Sequence, residues 1–474
     1  MLFNSLIFPF FLLIVLLVYY LLRYRAQNSW LLVVSYVFYG WWDWRFCSLL
    51  LFSTILDWFV SHSIEEVDDE KRRKQLLLLS VIGNLGVLSF FKYFNFFIDS
   101  FRVLFEGLGL YPDFFTLNII LPVGISFYTF QTMSYTIDVY RRKQKPAADF
   151  ISFALYVSFF PQLVAGPIER ADRLIPQFSK TRKFTSTILK SALPLILFGF
   201  FKKVVVADSI APIVDNCFLD PSKVSGLDLL FGIYAFAIQI YFDFSGYTDI
   251  ARGVSKLLGI ELQINFTAPY FSRNITEFWR RWHISLSSWL RDYLYISLGG
   301  NRKGRLRTDI NLMLTMLLGG LWHGAAWTFV IWGGLHGTYL ILHKIALKGK
   351  KPDIHSWGNS SLGYLGDVLF IILTFNLVCL SWVFFRAPSL GLSIQYIQGI
   401  FLNPGELSIF KPVVLSLLML IVIDIGQRLD DNYLWFNSIP TYWKYTLGSV
   451  LVIASILSFG WHYGTANPFI YFQF

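Results

Sequence analysis

The sequence predicts an all-α polytopic membrane protein with about 11 to 13 transmembrane or membrane-embedded helices, judged against the roughly 20 apolar residues that cross a bilayer. Three observations predict it. Mean hydropathy is +0.53. Of 474 residues, 55% are hydrophobic and only 15% are charged, against about 25% charged in an ordinary soluble domain. Apolar windows recur at or near spanning length, at residues 6–22, 119–139, 229–242, 310–342, 365–385, 413–425 and 447–459. A soluble globule has too few polar side chains to cover such a surface.

The opening "MLFNSLIFPFFLLIVLLVYYLLRYR" lacks a basic n-region and a small-residue cleavage site, so it reads as a retained span. Net charge is +10, but its distribution matters more than its sum. Basic clusters at Arg23 and Arg25, 71–74, 141–145 and 302–307 fall between apolar runs; short basic loops mark the cytoplasmic side. That places Met1 outside and Arg23 inside. Residues 30–61 then go out and back, turning at 43–45, and return Lys71 to the cytoplasm. The stretch "FFKYFNFFIDSF" can span or lie in the interface.

The three cysteines, Cys47, Cys217 and Cys379, are scattered and odd in number, which gives no disulfide framework and no zinc spacing. No internal repeat, low-complexity tract or polar linker divides the chain, so a single integral-membrane domain, residues 1–474, is expected. The least hydrophobic part lies between Asp243 and Asp309, and that polar interruption is the place to look for chemistry.

Within it, "RNITEFWRRWHISLSSWLRDYLYISLGGNRKG" begins with Asn274 as an N-cap and Glu277 three positions on, the pattern of a capping box. Trp279, Trp282, Leu286, Trp289, Leu290 and Tyr293 follow at helical spacing, with Arg280, Arg281, Ser287 and Arg291 largely elsewhere. This predicts an amphipathic interfacial helix, tryptophans at headgroup level and guanidinium groups in water. A purely structural helix has no need of His283.

Of the seven histidines, His62 and His355 fall in polar loops, and His343 and His462 near span ends. His283, His323 and His336 remain. No Asp, Glu, Lys or Arg lies between Asp309 and Lys344. At about 1.5 Å per helical residue from Arg307, His323 lies roughly 24 Å into its segment, inside a hydrocarbon core about 30 Å thick. Gly319, Gly320 and Gly324 bracket it, and glycines admit a neighbouring backbone or a helix break. An ionisable group at that depth is a functional-site hypothesis by default. The alternative is a histidine bonded to a neighbouring helix.

The sequence has no His-Glu-x-x-His pattern and no Cys/His cluster, so no metal site is expected. "FSGYTD" is not the Gly-x-Ser-x-Gly nucleophile elbow. An imidazole acting as general base remains, taking a proton from a hydroxyl as that oxygen attacks an acyl group.

"FDFSGYTDIARG" (242–253), "NFTAPYFSRNITEFWRRWHISLSSWLRDYLYISLGGNRKG" (265–304) and "GGLWHGAAWTFVIWGGLHG" (319–337) together resemble the membrane-bound O-acyltransferase family. The likeness is greatest to the bacterial branch that includes the alginate O-acetylation membrane subunit and relatives acting on peptidoglycan and cellulose. "SFFPQLVAGPIER" (158–170) fits that branch, and the motif-rich core is about 158–343. The resemblance implies helices around a thin centre, with a funnel or tunnel reaching it from both faces. It implies two functional histidines, His323 in the Trp-His-Gly motif and His283 in the Trp-Arg-Arg-Trp-His motif. Trp282 and Trp322, which precede them, are candidates for contacting substrate or donor.

It also implies transfer of an acetyl group from a cytoplasmic thioester, acetyl-CoA or an acyl carrier protein, toward an exported polysaccharide such as alginate. No bound cofactor and no nucleic-acid partner are expected. A periplasmic partner of the SGNH-hydrolase type, a polysaccharide acceptor and the bacterial inner membrane are. Arg280, Arg281, Arg302, Lys303 and Arg305 would hold donor phosphates, or simply set topology; Arg170 with Glu169 carries the same two readings. Asp243 and Asp249 are either solvent-exposed carboxylates at a helix end or groups that orient an imidazole or Arg281. D-alanyl transfer to teichoic acid is the alternative within the family. A transporter or proton pathway and a non-enzymatic scaffold are the alternatives outside it.

Overall fold

The structure, a computed structural model, describes residues 1–111, 116–117, 119–164, 166–347, 363–430, 433–461 and 469–470. His355 and His462 lie outside the described residues. Among the described residues every regular element is helical, as the apolar periodicity requires. Among the described residues, five stretches are long and apolar enough to cross a membrane: Arg25–Glu66, Glu70–Gly107, Gly226–Leu257, Gly363–Arg386 and Phe410–Gln427. This is a multi-pass membrane protein. The five are fewer than the apolar segments counted in the sequence, because several of those are short, such as Ile7–Leu21 and Leu390–Leu402, and others mix glycine and histidine into the run. "FFKYFNFFIDSF" belongs to the Glu70–Gly107 stretch, which carries a wider π turn at Ser89–Tyr93.

The chain divides into two compact units, Met1–Ala192 with Ala251–Gln263, and Leu193–Ile250 with Ile264–Phe474. In the first, the turn expected at 43–45 is present: Asp43 accepts from Arg45 N at 3.0 Å and opens the short helix Trp44–Phe46. Asp57 lies fully buried in the helix Cys47–Glu66 and accepts hydrogen bonds from Ser80 Oγ, from Asn84 Nδ2 at 2.8 Å and from Thr136 Oγ1 at 2.8 Å. These donors come from the helices Glu70–Leu88 and Ile125–Tyr140. An unpartnered carboxylate in such a place is costly, so the bonds tie three helices together. Buried Arg73 does similar work, donating to Ile64 O at 2.6 Å and Tyr140 O at 3.0 Å near two helix C-termini. An apolar surface groove of about 650 Å³, lined by Leu32, Tyr36, Trp41, Trp44, Cys47 and Phe150 among others, lies in this unit.

In the second unit the apolar window at 310–342 is a helical hairpin, Arg305–His323 and Trp327–Ala346. Two glycines set its spacing. A Cβ on Gly320 would stand 2.2 Å from Phe329 O, and one on Gly333 2.2 Å from Met316 O, so each helix backbone touches the other directly. The 273–304 stretch is not one amphipathic helix. It breaks into Ile275–Arg281 and Ile284–Trp289, followed by a π turn at Leu290–Tyr295. Two of its tryptophans, Trp282 and Trp289, are buried in the protein and not presented outward. The unit has enough aromatic partners to absorb them.

Candidate active site

His323 is the last residue of its helix, where the hairpin turns. Its ring is 5% exposed and lies 5.0 Å from Trp322, 5.0 Å from Trp332 and 5.3 Å from Phe385. His283 sits at the break between the two short helices with φ of 42°, left-handed backbone that L side chains rarely adopt. It is fully buried, edge-on to Phe244 at 4.7 Å and 6.2 Å from Trp322. The two imidazole centroids are 6.5 Å apart. Forty residues of sequence separate them; the hairpin tip and the helix break bring them together.

The break is held by a segment that sequence reasoning quoted without weighing. Ile284 N donates to Asn265 O at 2.9 Å, and Thr267 N to Arg281 O at 3.0 Å. Asn265 Oδ1 accepts from Ser285 N at 3.1 Å and Ser285 Oγ at 2.9 Å, and lies 3.3 Å from His283 Nδ1. The backbone groups that a continuous helix would have satisfied are thus taken up by residues 265–267. The available signal was that buried asparagine, in an aromatic-rich stretch just upstream.

The cap expected at Asn274 is present, with Oδ1 accepting from Glu277 N at 2.9 Å. Glu277 is buried, and its carboxylate takes Arg281 at 2.6 Å and Arg273 at 3.3 Å. Arg281 is therefore engaged within its own helix, while Arg280 is exposed. Trp282 lies in an aromatic core, 5.6 Å from Phe278 and 5.2 Å from Trp382. Trp322 borders both imidazoles, 6.2 Å from His283 and 5.0 Å from His323. Arg302, Lys303 and Arg305 are exposed, at the opposite end of the Arg305–His323 helix from His323, about 27 Å away along the axis at 1.5 Å per residue.

Asp243 and Asp249 are not solvent-exposed helix-end carboxylates. Both are buried within the helix Gly226–Leu257. Asp249 pairs with Lys202 at 2.7 Å; Lys203 lies 2.5 Å from Asp243 and 2.8 Å from Asp208. The two lysines project from a π turn, Phe201–Ala207. Neither pair contains an imidazole or Arg281, and the partners are invisible in sequence because they lie some 40 residues upstream. Charges this deep persist only when paired. Asp243 also accepts from Ile470 N at 2.6 Å, and Phe469 lies 5.5 Å from Phe244, the ring against His283.

His336 faces a neighbouring helix. Its Nε2 lies 2.9 Å from Ser381 Oγ, and its ring packs 4.8 Å from Trp332. His62 is not in a loop but within Cys47–Glu66, its Nδ1 2.8 Å from Trp58 O. His343, in the last turn of its helix, lies 2.8 Å from Thr276 Oγ1. In the first unit, Glu169 is buried and accepts from Gln263 N; burial pushes its carboxyl up to about 7. Among the described residues no group of three or more His, Cys, Asp or Glu is placed to hold a metal.

Reacting atoms in near-attack geometry stand about 3 to 3.5 Å apart, so two rings with centroids 6.5 Å apart can flank one acyl group. Imidazoles in an apolar, aromatic shell suit proton transfer between a hydroxyl and an acyl centre. The model of the membrane-bound O-acyltransferase family matches residues 140–382, a range that contains both imidazoles and the three motifs around them. The chain is 41% identical to the probable alginate O-acetylase AlgI of Azotobacter vinelandii, over 90% of this chain and 85% of that protein. It is 37% identical to the peptidoglycan O-acetyltransferase of Helicobacter pylori, over 84% and 79%. Likeness to the teichoic acid D-alanyltransferase of Streptococcus thermophilus is 32%, over 56% and 68%. With a paired-histidine site inside the matched range and relatives aligned over most of its length, this chain is an O-acyltransferase and belongs to the membrane-bound O-acyltransferase family.

Proposed function

We propose that this protein transfers an acetyl group from a cytoplasmic thioester across the bacterial inner membrane, toward O-acetylation of an exported, alginate-type polysaccharide. The observation that carries the reading is the 6.5 Å approach of His283 and His323, in a family whose chemistry is acyl transfer to oxygen. His323 serves as the general base, at the hairpin tip; His283 faces the same acyl group. An acyl group that changes sides at such a site spares its carrier the crossing. The whole chain, residues 1–474, works as one integral-membrane domain in this reading. Acetyl-CoA or an acyl carrier protein brings the group, its phosphates held at Arg302, Lys303 and Arg305. A periplasmic SGNH-type protein or the sugar itself receives it.

Trp322, Trp332 and Phe385 pack around His323, so in this reading the acyl group must displace part of this aromatic shell to reach the ring. The test is His323→Ala at unchanged membrane abundance, with acetate measured on the exported polymer. Loss of acetate by 10²-fold or more, the lower range for a positioned base, is expected. Wild-type acetate removes His323 from its role. D-alanyl transfer is the second reading, favoured by the teichoic acid relative, which covers less of the chain. Purified protein that consumes a D-alanyl thioester and ignores acetyl thioesters would select it.

A further inference from the structure

We propose that Asn265 is the positioning residue that fixes the tautomer of His283, keeping the proton on Nδ1 and the lone pair on Nε2. The proposal rests on the acyl-transfer reading above for its use, but not for its geometry.

The assignment follows from donors and acceptors. Ser285 N is a backbone donor and points to the Asn265 side chain at 3.1 Å. The amide atom it meets must therefore be the oxygen, not the nitrogen, since the amide nitrogen has no lone pair to offer. The same Oδ1 faces His283 Nδ1 at 3.3 Å. An amide oxygen only accepts, so Nδ1 is the nitrogen that carries hydrogen. A neutral imidazole has one N–H, which leaves Nε2 with its lone pair. That nitrogen is left as an acceptor on the ring edge away from Asn265, beside the acyl group at which His323 acts as base.

The local backbone explains why such a device is needed here. His283 occupies left-handed space at φ 42°, a strained conformation for a non-glycine residue that persists where surroundings over-determine it. Ile284 N and Ser285 N, freed by the break, are both taken by Asn265, one by its carbonyl and one by its side chain. One residue thereby stabilises the break and orients the ring that the break presents. Phe244, Phe266, Trp322 and His323 also pack against the imidazole, and of these four His323 is the ionisable one.

The test uses the full-length protein, labelled with ¹⁵N-histidine and purified in detergent, as wild type, Asn265→Ala, Asn265→Asp and Ser285→Ala. Ring ¹⁵N shifts of His283 are assigned by their loss in His283→Gln. Wild type is expected in the Nδ1–H form. Asn265→Ala is expected to lose that preference and at least about 10-fold in kcat, part of the 10² to 10⁴ a positioned base supplies, with donor KM within about twofold. Asn265→Asp keeps an acceptor at the same place, so it should restore the tautomer and most of kcat. Ser285→Ala, which loosens the clamp without touching the ring, should cost less and leave the shifts in place. A wild-type ring in the Nε2–H form overturns the proposal, whatever the variants do. So does a Ser285→Ala loss equal to that of Asn265→Ala with neither moving the shifts. Should the purified protein show no acyl transfer from any thioester while the tautomer result holds, the acyl-transfer reading fails and the Asn265 assignment stands.

Discussion

Glu169 shows how much a single residue can say outside the helices that span. Its carboxyl is buried and pushed up to about 7, chiefly by loss of hydration. The folded protein therefore holds this proton more tightly than the unfolded chain, whose glutamates release it near pH 4.3. Between about pH 4.5 and 7 the unfolded state sheds its proton first, so stability falls as pH rises through that window and levels off above it. Glu169→Gln keeps an oxygen for Gln263 N and removes the titration. Thermal midpoints in detergent should decline from pH 4.5 to 7 more steeply in wild type than in Glu169→Gln. Parallel curves would mean that Glu169 is charged and solvated. His283 and Asn265 belong to this scale as well, because there the chemistry depends on which nitrogen holds a hydrogen.

The helical hairpin that carries His323 is built on close backbone contact. A methyl on Gly320 would meet Phe329 O at 2.2 Å, nearly 1 Å inside any real contact, so Gly320→Ala must push the two helices apart. Overpacking of this kind costs about 1 to 3 kcal/mol, and here it also displaces the histidine three residues on. Gly320→Ala should lower both the thermal midpoint and kcat, whereas Gly334→Ala, whose Cβ meets Leu317 Cδ2 at an ordinary 3.6 Å, should change neither. Equal tolerance at the two positions would show that the hairpin is looser than described. The sequence made much of this element readable. The charge-free run from 310 to 343 marked it as embedded, and the glycines around His323 marked a close approach or a break; both are present. The Asn274 cap is readable for the same reason, since its donor lies three residues away. The break at His283 is not, because its compensation comes from Asn265, which has no periodic relation to it. Nor are the ion pairs of Asp243 and Asp249, whose lysines lie on another helix. The tryptophans of 279–289 read as interfacial because amphipathic spacing cannot tell a headgroup layer from an aromatic core.

For the molecule as a whole, the exposed basic trio and the imidazoles stand at opposite ends of one helix. If Arg302, Lys303 and Arg305 bind donor phosphates, replacing all three with Gln should raise donor KM about 10-fold and make it less sensitive to salt, with little change in thermal midpoint. If they serve only to orient the chain during insertion, KM will hold and accessibility of loop cysteines from each side will change instead. A donor anchored by its phosphates at that trio has to carry its thioester on an arm nearly as long as the helix, about 27 Å. That length favours donors with an extended linker between phosphate and sulfur.

The carboxylate of Asp57 carries a consequence for biogenesis. Its donors lie 23, 27 and 79 residues further along the chain, so during synthesis the acid enters the membrane well before Thr136 has been made. Until then each carboxylate oxygen has one donor, Ser80 on Oδ1 and Asn84 on Oδ2, and Thr136 later adds a second bond to Oδ1. Thr136 is thus the last of the three to arrive, and it brings a third helix onto a pairing that Ser80 and Asn84 have already begun.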